Sequence, residues 1–281
     1  MTRRTILRLI PTAPAIALFG SQSPATAQYR ADCQVSFLGV PVFARSNVGS
    51  ASIEVRETAG SIALTFQAGS LPERTRGLNR LGFIQELVTQ KDGGLQSTYF
   101  GFITSSPEKN LEQAKAALGP TEGGAVSYMA VEGSASKARS QYDLYQLELP
   151  STWNYSRCTE VVGKVRDFLA KKTLKPARSE ASSSVESPRT FLFAVREAMR
   201  SSDTKIKSAF LYNGQSFRLD VVKSRDNKPG GAMRLNGNVQ NVATGDKTPF
   251  RLWFHEGADL PTRFEYRPRG YLNLTFERTS A

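Results

Sequence analysis

Histidine and cysteine are scarce in this sequence, which has one histidine, His255, and two cysteines, Cys33 and Cys158, among 281 residues. One histidine and two distant cysteines cannot supply the usual ligand spacing of a zinc site. The sequence also has no Gly-x-Ser-x-Gly elbow, no phosphate-binding loop and no calcium loop. We therefore expect no metal, no cofactor and no catalytic residue, and His255 is expected to be an ordinary surface residue of a strand.

The sequence has no long apolar run, and its longest apolar segment lies near the amino terminus. Arg3, Arg4 and Arg8 lie at or before the start of a short apolar segment, Leu9 to Phe19, which is followed by the small-residue cleavage site Ala25-Thr26-Ala27. This pattern predicts an export signal over residues 1–27, and the paired arginines are typical of the twin-arginine type. An ordinary secretory signal is the alternative. No segment reaches the ~20 apolar residues of a membrane span, so we expect a periplasmic or secreted chain without a transmembrane segment.

Positive charge exceeds negative charge, with a formal net charge of +12. The predicted signal carries three arginines and no acid, so residues 28–281 retain +9. A basic exported protein is attracted to anionic surfaces, so an anionic envelope lipid or glycan is a possible partner, and nucleic acid is not expected in that compartment. In an oxidising compartment an isolated cysteine pair favours a disulfide, here Cys33–Cys158; two buried, unpaired thiols are the alternative.

Alternation of apolar and polar residues dominates the remaining sequence and predicts paired strands. Hairpins are indicated around Gly60, around residues 92–94 and around Asn213-Gly214, and a further strand pair over residues 126–131 and 142–149. A slip of the apolar phase at residues 144–145 suggests a bulge. Asn236-Gly237 predicts another tight turn, and residues 250–276 predict an antiparallel meander with one dry and one arginine-rich face.

Three amphipathic stretches predict helices, over residues 106–119, over residues 157–172 and from Ser187 onward. The fold class is therefore mainly β with a few helices, as a curved antiparallel sheet or half-barrel. Residues 28–281 are expected to form a single β-rich domain. Two subdomains, 28–172 and 187–281, joined by a linker over residues 173–186, are the alternative.

The carboxyl-terminal part resembles domain-of-unknown-function family 3108, a group of uncharacterised bacterial envelope proteins. The likeness covers residues 187–277. It is carried by the helix region 187–196, by the Asn-Gly hairpin of residues 210–219, and by Trp253, Pro261 and Gly270 in the closing strands. The resemblance implies an exported, β-rich curved sheet or half-barrel, and it implies no activity.

The arginine-rich face is the candidate ligand-binding surface. Its residues are Arg251, Trp253, His255, Arg263 and Arg267. Arginines beside an aromatic ring can hold an anionic headgroup through paired hydrogen bonds and stacking. An ordinary solvated face with cross-strand Arg–Glu pairs is the alternative.

The leading hypothesis is a non-enzymatic binding, carrier or assembly module that shelters an apolar or anionic envelope ligand on the concave side of its sheet. The rival is an exported hydrolase of glycan or ester substrates, which requires carboxylates, or a serine beside His255, to converge in one cleft. A third hypothesis is a structural partner in an envelope complex, which requires a broad exposed apolar patch.

Overall fold

The computed structural model describes residues 24–37, 40–75, 77–91, 93–104, 123–171, 174–183, 185–212, 214–226, 231–269 and 272–279. Residues 1–23 of the predicted signal and the predicted helix at 106–119 lie outside these described residues. Residues 25–27 are the first three of the first strand, where they pair with residues 53–55. Cleavage after Ala27 would therefore shorten this strand.

The predicted fold class is confirmed, because one antiparallel sheet of 14 strands dominates the chain. The strands are β1 (Ala25–Phe37), β2 (Val40–Thr58), β3 (Ser61–Ser70), β4 (Leu81–Lys91), β5 (Gly94–Thr104), β6 (Ala125–Ser136), β7 (Ser140–Pro150), β8 (Arg178–Ser182), β9 (Lys205–Tyr212), β10 (Gln215–Arg225), β11 (Met233–Asn241), β12 (Lys247–Phe254), β13 (Arg263–Arg269) and β14 (Leu272–Arg278). Their order is β8-β7-β6-β5-β4-β3-β2-β1-β14-β13-β12-β11-β10-β9. The first strand of the chain, β1, and the last, β14, are therefore neighbours in the middle of the sheet.

Within the described residues, two α-helices lie on opposite faces of this sheet, α1 (Cys158–Ala170) and α2 (Phe191–Arg200). The helix predicted over residues 157–172 is confirmed. The next one begins at Phe191 rather than Ser187, because the preceding residues are extended and bonded to β9: the Leu211 amide donates to the Arg189 carbonyl at 2.8 Å.

Helix α1 covers β4–β7 with an apolar stripe. Val161 and Val165 are fully buried against Phe83, Phe102 and Tyr128 of the sheet. Phe83 and Phe102 are direct cross-strand partners whose rings stack with centroids 5.5 Å apart. The strand residues in this cluster all lie on one face of the sheet. The residues next to them along each strand point to the opposite face.

Helix α2 lies on the opposite face and shows that the sheet is strongly curved. It packs against β4 and also against β9 and β10, although β9 is nine strands away from β4 in the sheet order. In a flat sheet those strands would be roughly 43 Å apart, at about 4.8 Å per step. A ten-residue helix spans only about 15 Å. The face that carries α2 must therefore be concave, and the face that carries α1 is convex at β4–β7.

Both ends of α2 are held by side chains from the sheet. At its amino end, Glu86 of β4 accepts hydrogen bonds from the Thr190 hydroxyl at 2.5 Å and from the Leu192 and Phe193 amides at 2.9 and 3.0 Å. At its carboxyl end, the Lys223 ammonium of β10 donates to the Met199 carbonyl at 2.8 Å. The acidic Glu86 lies at the positive amino end of the helix dipole and the basic Lys223 at its negative carboxyl end, so both contacts are favourable.

A buried cation also fixes α2 from its middle. The Arg196 side chain is only 6 % exposed and pairs with Glu57 of β2 and, at 2.9 Å, with Asp259. Arg200, one turn further on, lies 3.6 and 3.5 Å from the same two carboxylates. Together with Phe193, which packs among the side chains of β1–β4, these contacts show that α2 fills the concave side.

The β9–β10 hairpin contacts the first half of the sheet. Gly214, in the β9–β10 turn, has a φ of +70° and lies so close to Tyr142 of β7 that a Cβ atom there would overlap the ring. The Tyr99 hydroxyl of β5 is hydrogen-bonded to the Gly214 backbone. The two halves of the sheet thus touch at the hairpin as well as at β1–β14.

The predicted disulfide is wrong, since Cys33 and Cys158 are both unpaired. Cys158, the first residue of α1, is buried against the convex face. Cys33 lies opposite Leu274, which packs on the concave face. Directly opposed residues share a face of the sheet, so the sheet itself separates the two thiols. The alternative of two buried, unpaired thiols is met in part, because both cysteines are unpaired but Cys33 is only half-buried.

Two predicted irregularities are also absent from the described strands. Asn236-Gly237 is not a turn but lies inside β11, where Gly237 opposes Val221 so closely that a Cβ would collide with it. The β6–β7 register runs through Leu144 and Tyr145 without a bulge. In addition, residues 178–182 of the predicted linker form the edge strand β8, which pairs with β7.

Candidate functional site

The sequence-predicted ligand surface is only partly assembled in the structure. Arg251, Trp253 and Arg263 lie together on β12 and β13, with the Arg263 guanidinium 5.0 Å from the Trp253 ring centre. His255 follows the end of β12 and is exposed, and Arg267 is exposed further along β13. The structure therefore brings together three of the five predicted residues.

Acidic side chains alternate with these arginines across four strands, in a row that we call the arginine ladder (Arg30, Glu277, Arg263, Glu265 and Arg251). Successive members are 3.4, 3.3, 2.6 and 3.6 Å apart. This is the solvated face with cross-strand Arg–Glu pairs that the sequence left as the alternative. The two pairs of Glu277, whose members are 39–47 % exposed, contribute little to stability, roughly 0–1 kcal/mol each. The pairing nevertheless means that an anionic ligand would have to compete with Glu265 and Glu277.

The Trp253 ring is fixed at the end of this ladder. Its indole nitrogen donates to an Asp226 carboxylate oxygen at 3.2 Å. Because the ring is covered by Arg263 on its face and bonded at its edge, it is a supporting element of the ladder rather than an open stacking platform.

A second surface, which sequence reasoning missed, lies on the convex face of β4–β7 beside α1. It is a pocket of about 390 Å³ that adjoins another of about 190 Å³ and shares Leu87, Thr98 and Ser134 with it. We call the two together the convex groove. The lining side chains used below are Gln85, Phe100, Glu132, Ser134, Gln141 and Asp143.

Strand register explains how these side chains meet. Gln85, Phe100, Glu132 and Asp143 oppose one another in one row across β4, β5, β6 and β7. Leu87, Thr98, Ser134 and Gln141 form the next row. Phe83 and Phe102, two residues away along their strands, lie under α1, so both rows share the face of α1.

Helix α1 forms one wall of the convex groove. Arg166 of α1 donates a hydrogen bond to the Gln85 side chain, and its guanidinium lies 5.1 Å from the Phe100 ring centre. The wall thus supplies a cation over an aromatic ring, while the floor supplies the carboxylates of Glu132 and Asp143.

The two floor carboxylates are oriented by hydroxyl groups. The Tyr145 hydroxyl donates to Glu132 at 3.1 Å, and the Ser179 hydroxyl of β8 donates to Asp143. Burial of the Tyr145 hydroxyl, together with its bond to Glu132, raises the pKa of Tyr145 to about 12. Tyr145 therefore stays a hydrogen-bond donor over the whole physiological range, and each carboxylate keeps further lone pairs for a ligand.

The strand pairing that creates the groove was predicted, but its extent was not. Residues 126–131 and 142–149 were expected to pair, which ends just short of Glu132. Aligning the outer ends of these two ranges, Val126 with Leu149, and continuing towards the turn sets Glu132 opposite Asp143. This alignment is the signal in the sequence that could have found the carboxylate pair.

Comparisons with protein-family models, with curated proteins and with solved structures found no match to this chain. The resemblance to family 3108 and the predicted export therefore stay predictions. Within the described residues, the helices are too short or too polar to cross a membrane, and no group of three or more His, Cys, Asp or Glu side chains is arranged to hold a metal ion.

Proposed function

We propose that this chain is a non-enzymatic binding module that holds a polar glycan in the convex groove, with a preference for sugars that carry amino groups. The observation that carries the proposal is the row of Phe100, Glu132 and Asp143 across β5–β7. An elongated polar groove with one aromatic side chain suits a chain of sugar rings. Hydroxyl and ammonium groups would donate to the carboxylates, and the C–H face of a ring would pack on Phe100.

The charge of the convex groove decides the ligand class. An anionic headgroup in the larger pocket would meet the carboxylates of Glu132 and Asp143 on the floor, and like charges at such distances repel. The arginines of the convex groove, Arg166 on the wall and Arg139 in the smaller pocket, lie outside this row of floor residues. A protonated amine gains charge-assisted hydrogen bonds from the same two groups, which are about twice as strong as neutral ones. The proposal thus replaces the anionic ligand expected from the net charge by a neutral or cationic one.

The concave side gives no support for the alternative of an apolar carrier. Its apolar side chains already pack against α2, with Phe193 among β1–β4 and Ala194, Ala198 and Met199 among β9–β12. A ligand there would have to displace a helix that is bonded at both ends, so we place the ligand on the opposite face.

Titration calorimetry with defined oligosaccharides tests the proposal. We expect oligomers of glucosamine to bind more tightly than oligomers of N-acetylglucosamine, and a sulfated oligomer to bind most weakly. Glu132→Gln should weaken binding of the glucosamine oligomer about tenfold, corresponding to roughly 1.4 kcal/mol. Glu148→Gln, an equal charge change at an exposed position of β7, is the matched control and should leave the affinity unchanged.

Two results would contradict this function. The first is tightest binding of the sulfated oligomer. The second is equal affinity of the parent chain and Glu132→Gln. Measuring new reducing ends in the same mixtures tests the hydrolase alternative, since two carboxylates in one cleft are what glycoside hydrolysis uses. We expect no new ends; their appearance, and their loss in Glu132→Gln, would replace the binding module by an enzyme.

A further inference from the structure

The first hairpin of the chain extends beyond the body of the sheet. β2 is 19 residues long, but it pairs with β3 only from Gly49 onward. Residues 40–45 are paired with β1 alone. On the other side of the hairpin, β1 pairs with β14 only as far as Val35. Within its described residues, the end of the β1–β2 hairpin therefore has no strand partner on either outer edge.

Five consecutive apolar residues are exposed in this projecting part, Val40, Pro41, Val42, Phe43 and Ala44, which we call the hairpin tip. The side chains of Val40 and Val42 are each 63 % exposed, and that of Phe43 is 45 % exposed. Neighbouring residues of a strand point to opposite faces, so both faces of the tip are apolar. A run of this kind on a soluble surface is unfavourable unless something covers it.

The charged residues nearest to the hairpin tip are arginines. Residues 33–46 and 266–276 contain no aspartate or glutamate, and they contribute Arg45 and Arg267. The two segments are neighbours, because Val35 opposes both Phe43 of β2 and Leu272 of β14. Tyr266, whose side chain is 43 % exposed, lies at the same end of the sheet, opposite Leu274. This end of the sheet is thus apolar at its tip and cationic at its base.

We infer that the hairpin tip inserts into the surface of an anionic phospholipid bilayer. Val40, Val42 and Phe43 would enter the boundary between headgroups and acyl chains, while Arg45 and Arg267 would remain at the level of the phosphates. One weak apolar anchor and one basic patch are together the two signals that stable peripheral attachment needs. The net charge of +12 acts in the same direction. The inference concerns a different surface from the convex groove and does not depend on the ligand proposed there.

Vesicle flotation tests this inference with vesicles of phosphatidylcholine alone and of phosphatidylcholine mixed with phosphatidylglycerol. We expect the parent chain to float with the mixed vesicles and much less with the neutral ones, and the bound fraction to fall as salt is added. The variant Val42→Ser with Phe43→Ser should partition roughly tenfold or more weakly, because two apolar side chains no longer leave water on binding. Val222→Ser removes another exposed valine, on β10, and should partition like the parent chain.

All these proteins share residues 1–23, so the amino-terminal segment contributes equally to each comparison. Both substituted tip residues are exposed, so an unchanged urea midpoint is expected and verifies that the tip variant folds. Equal partitioning of the tip variant and the parent chain would overturn the inference, and so would equal flotation with neutral and mixed vesicles. A shift from dimer to monomer in the tip variant without a change on vesicles would also overturn it, because it would assign the tip to a second copy of this chain.

Discussion

Replacing Glu86 with alanine is expected to lower the free energy of unfolding by about 3–5 kcal/mol. The carboxylate is fully buried and is the acceptor for the Thr190 hydroxyl and for two amides at the start of α2. Alanine would leave these three donors buried without a partner and would also leave a cavity. Urea unfolding followed by far-UV circular dichroism measures the change.

The matched control is Glu148→Ala, an equal truncation at an exposed position of β7. A surface change of that kind is usually worth less than about 0.5 kcal/mol. If Glu86→Ala cost no more than Glu148→Ala, then α2 would not be held by β4, and the description of α2 as the filling of the concave side would be wrong.

The same carboxyl group gives stability a defined pH dependence. Burial raises the pKa of Glu86 to about 7 from its ordinary value of 4.5, although its hydrogen bonds to Thr190 and to the helix amides lower it. The folded chain therefore binds an extra proton between these pH values. This proton uptake stabilises the folded chain fully below about pH 4.5, and the stabilisation is lost as the pH rises through about 7. The free energy of unfolding should fall by roughly 3 kcal/mol at most over this range. Glu86→Gln should lack this part of the slope, so the stability difference between parent and variant should change over that window.

Replacing Gly214 with alanine is expected to destabilise the chain by about 3 kcal/mol. The backbone at position 214 is left-handed, with a φ of +70°, and this conformation is strained for alanine. The new Cβ would also overlap the ring of Tyr142 in β7. Relief requires the β9–β10 hairpin to move away from β5–β7, which breaks the hydrogen bond between the Gly214 backbone and Tyr99.

Gly60→Ala is the control that separates the cost of left-handed backbone strain from the cost of the overlap with Tyr142. Gly60 has a φ of +85° and nothing within 4 Å of its added Cβ, so this variant should cost only the left-handed strain of about 1–2 kcal/mol. Combining Gly214→Ala with Tyr142→Ala should cost clearly less than the sum of the two single changes, because the overlap disappears. Additive effects would contradict the contact between the two ends of the sheet.

Sequence reasoning predicted the β-rich fold well because alternation reports directly on a sheet with one buried face. The β2–β3, β4–β5 and β9–β10 hairpins all occur where the apolar phase and a turn residue agreed. The same reasoning failed where both faces of the sheet are covered. Tyr145 packs towards α1 and Leu144 packs with the cluster of Tyr99 on the other face, so two adjacent buried residues imitated a bulge.

Glycine in a strand and the curvature of the sheet were the other sources of error. Gly237 was interpreted as a turn residue, whereas it is needed because β10 approaches too closely for a side chain. Nothing local in the sequence shows that β9 returns to β5–β7 or that Glu86 meets α2, since these contacts join residues about a hundred positions apart. The candidate site was misjudged for a related reason. Glu265 is visible between Arg263 and Arg267 in one strand, but only the register shows that Glu277 and Arg30 continue the alternation across the neighbouring strands.

Mapping of backbone amide shifts on addition of a glucosamine oligomer tests the central claim, that the ligand lies in the convex groove. The account predicts that the largest changes fall on residues 98–100, 132–134 and 141–143, and that the amides of Leu192 and Phe193 at the start of α2 do not move. Changes centred on α2, or on Arg251 and Arg263 of the arginine ladder, would contradict it.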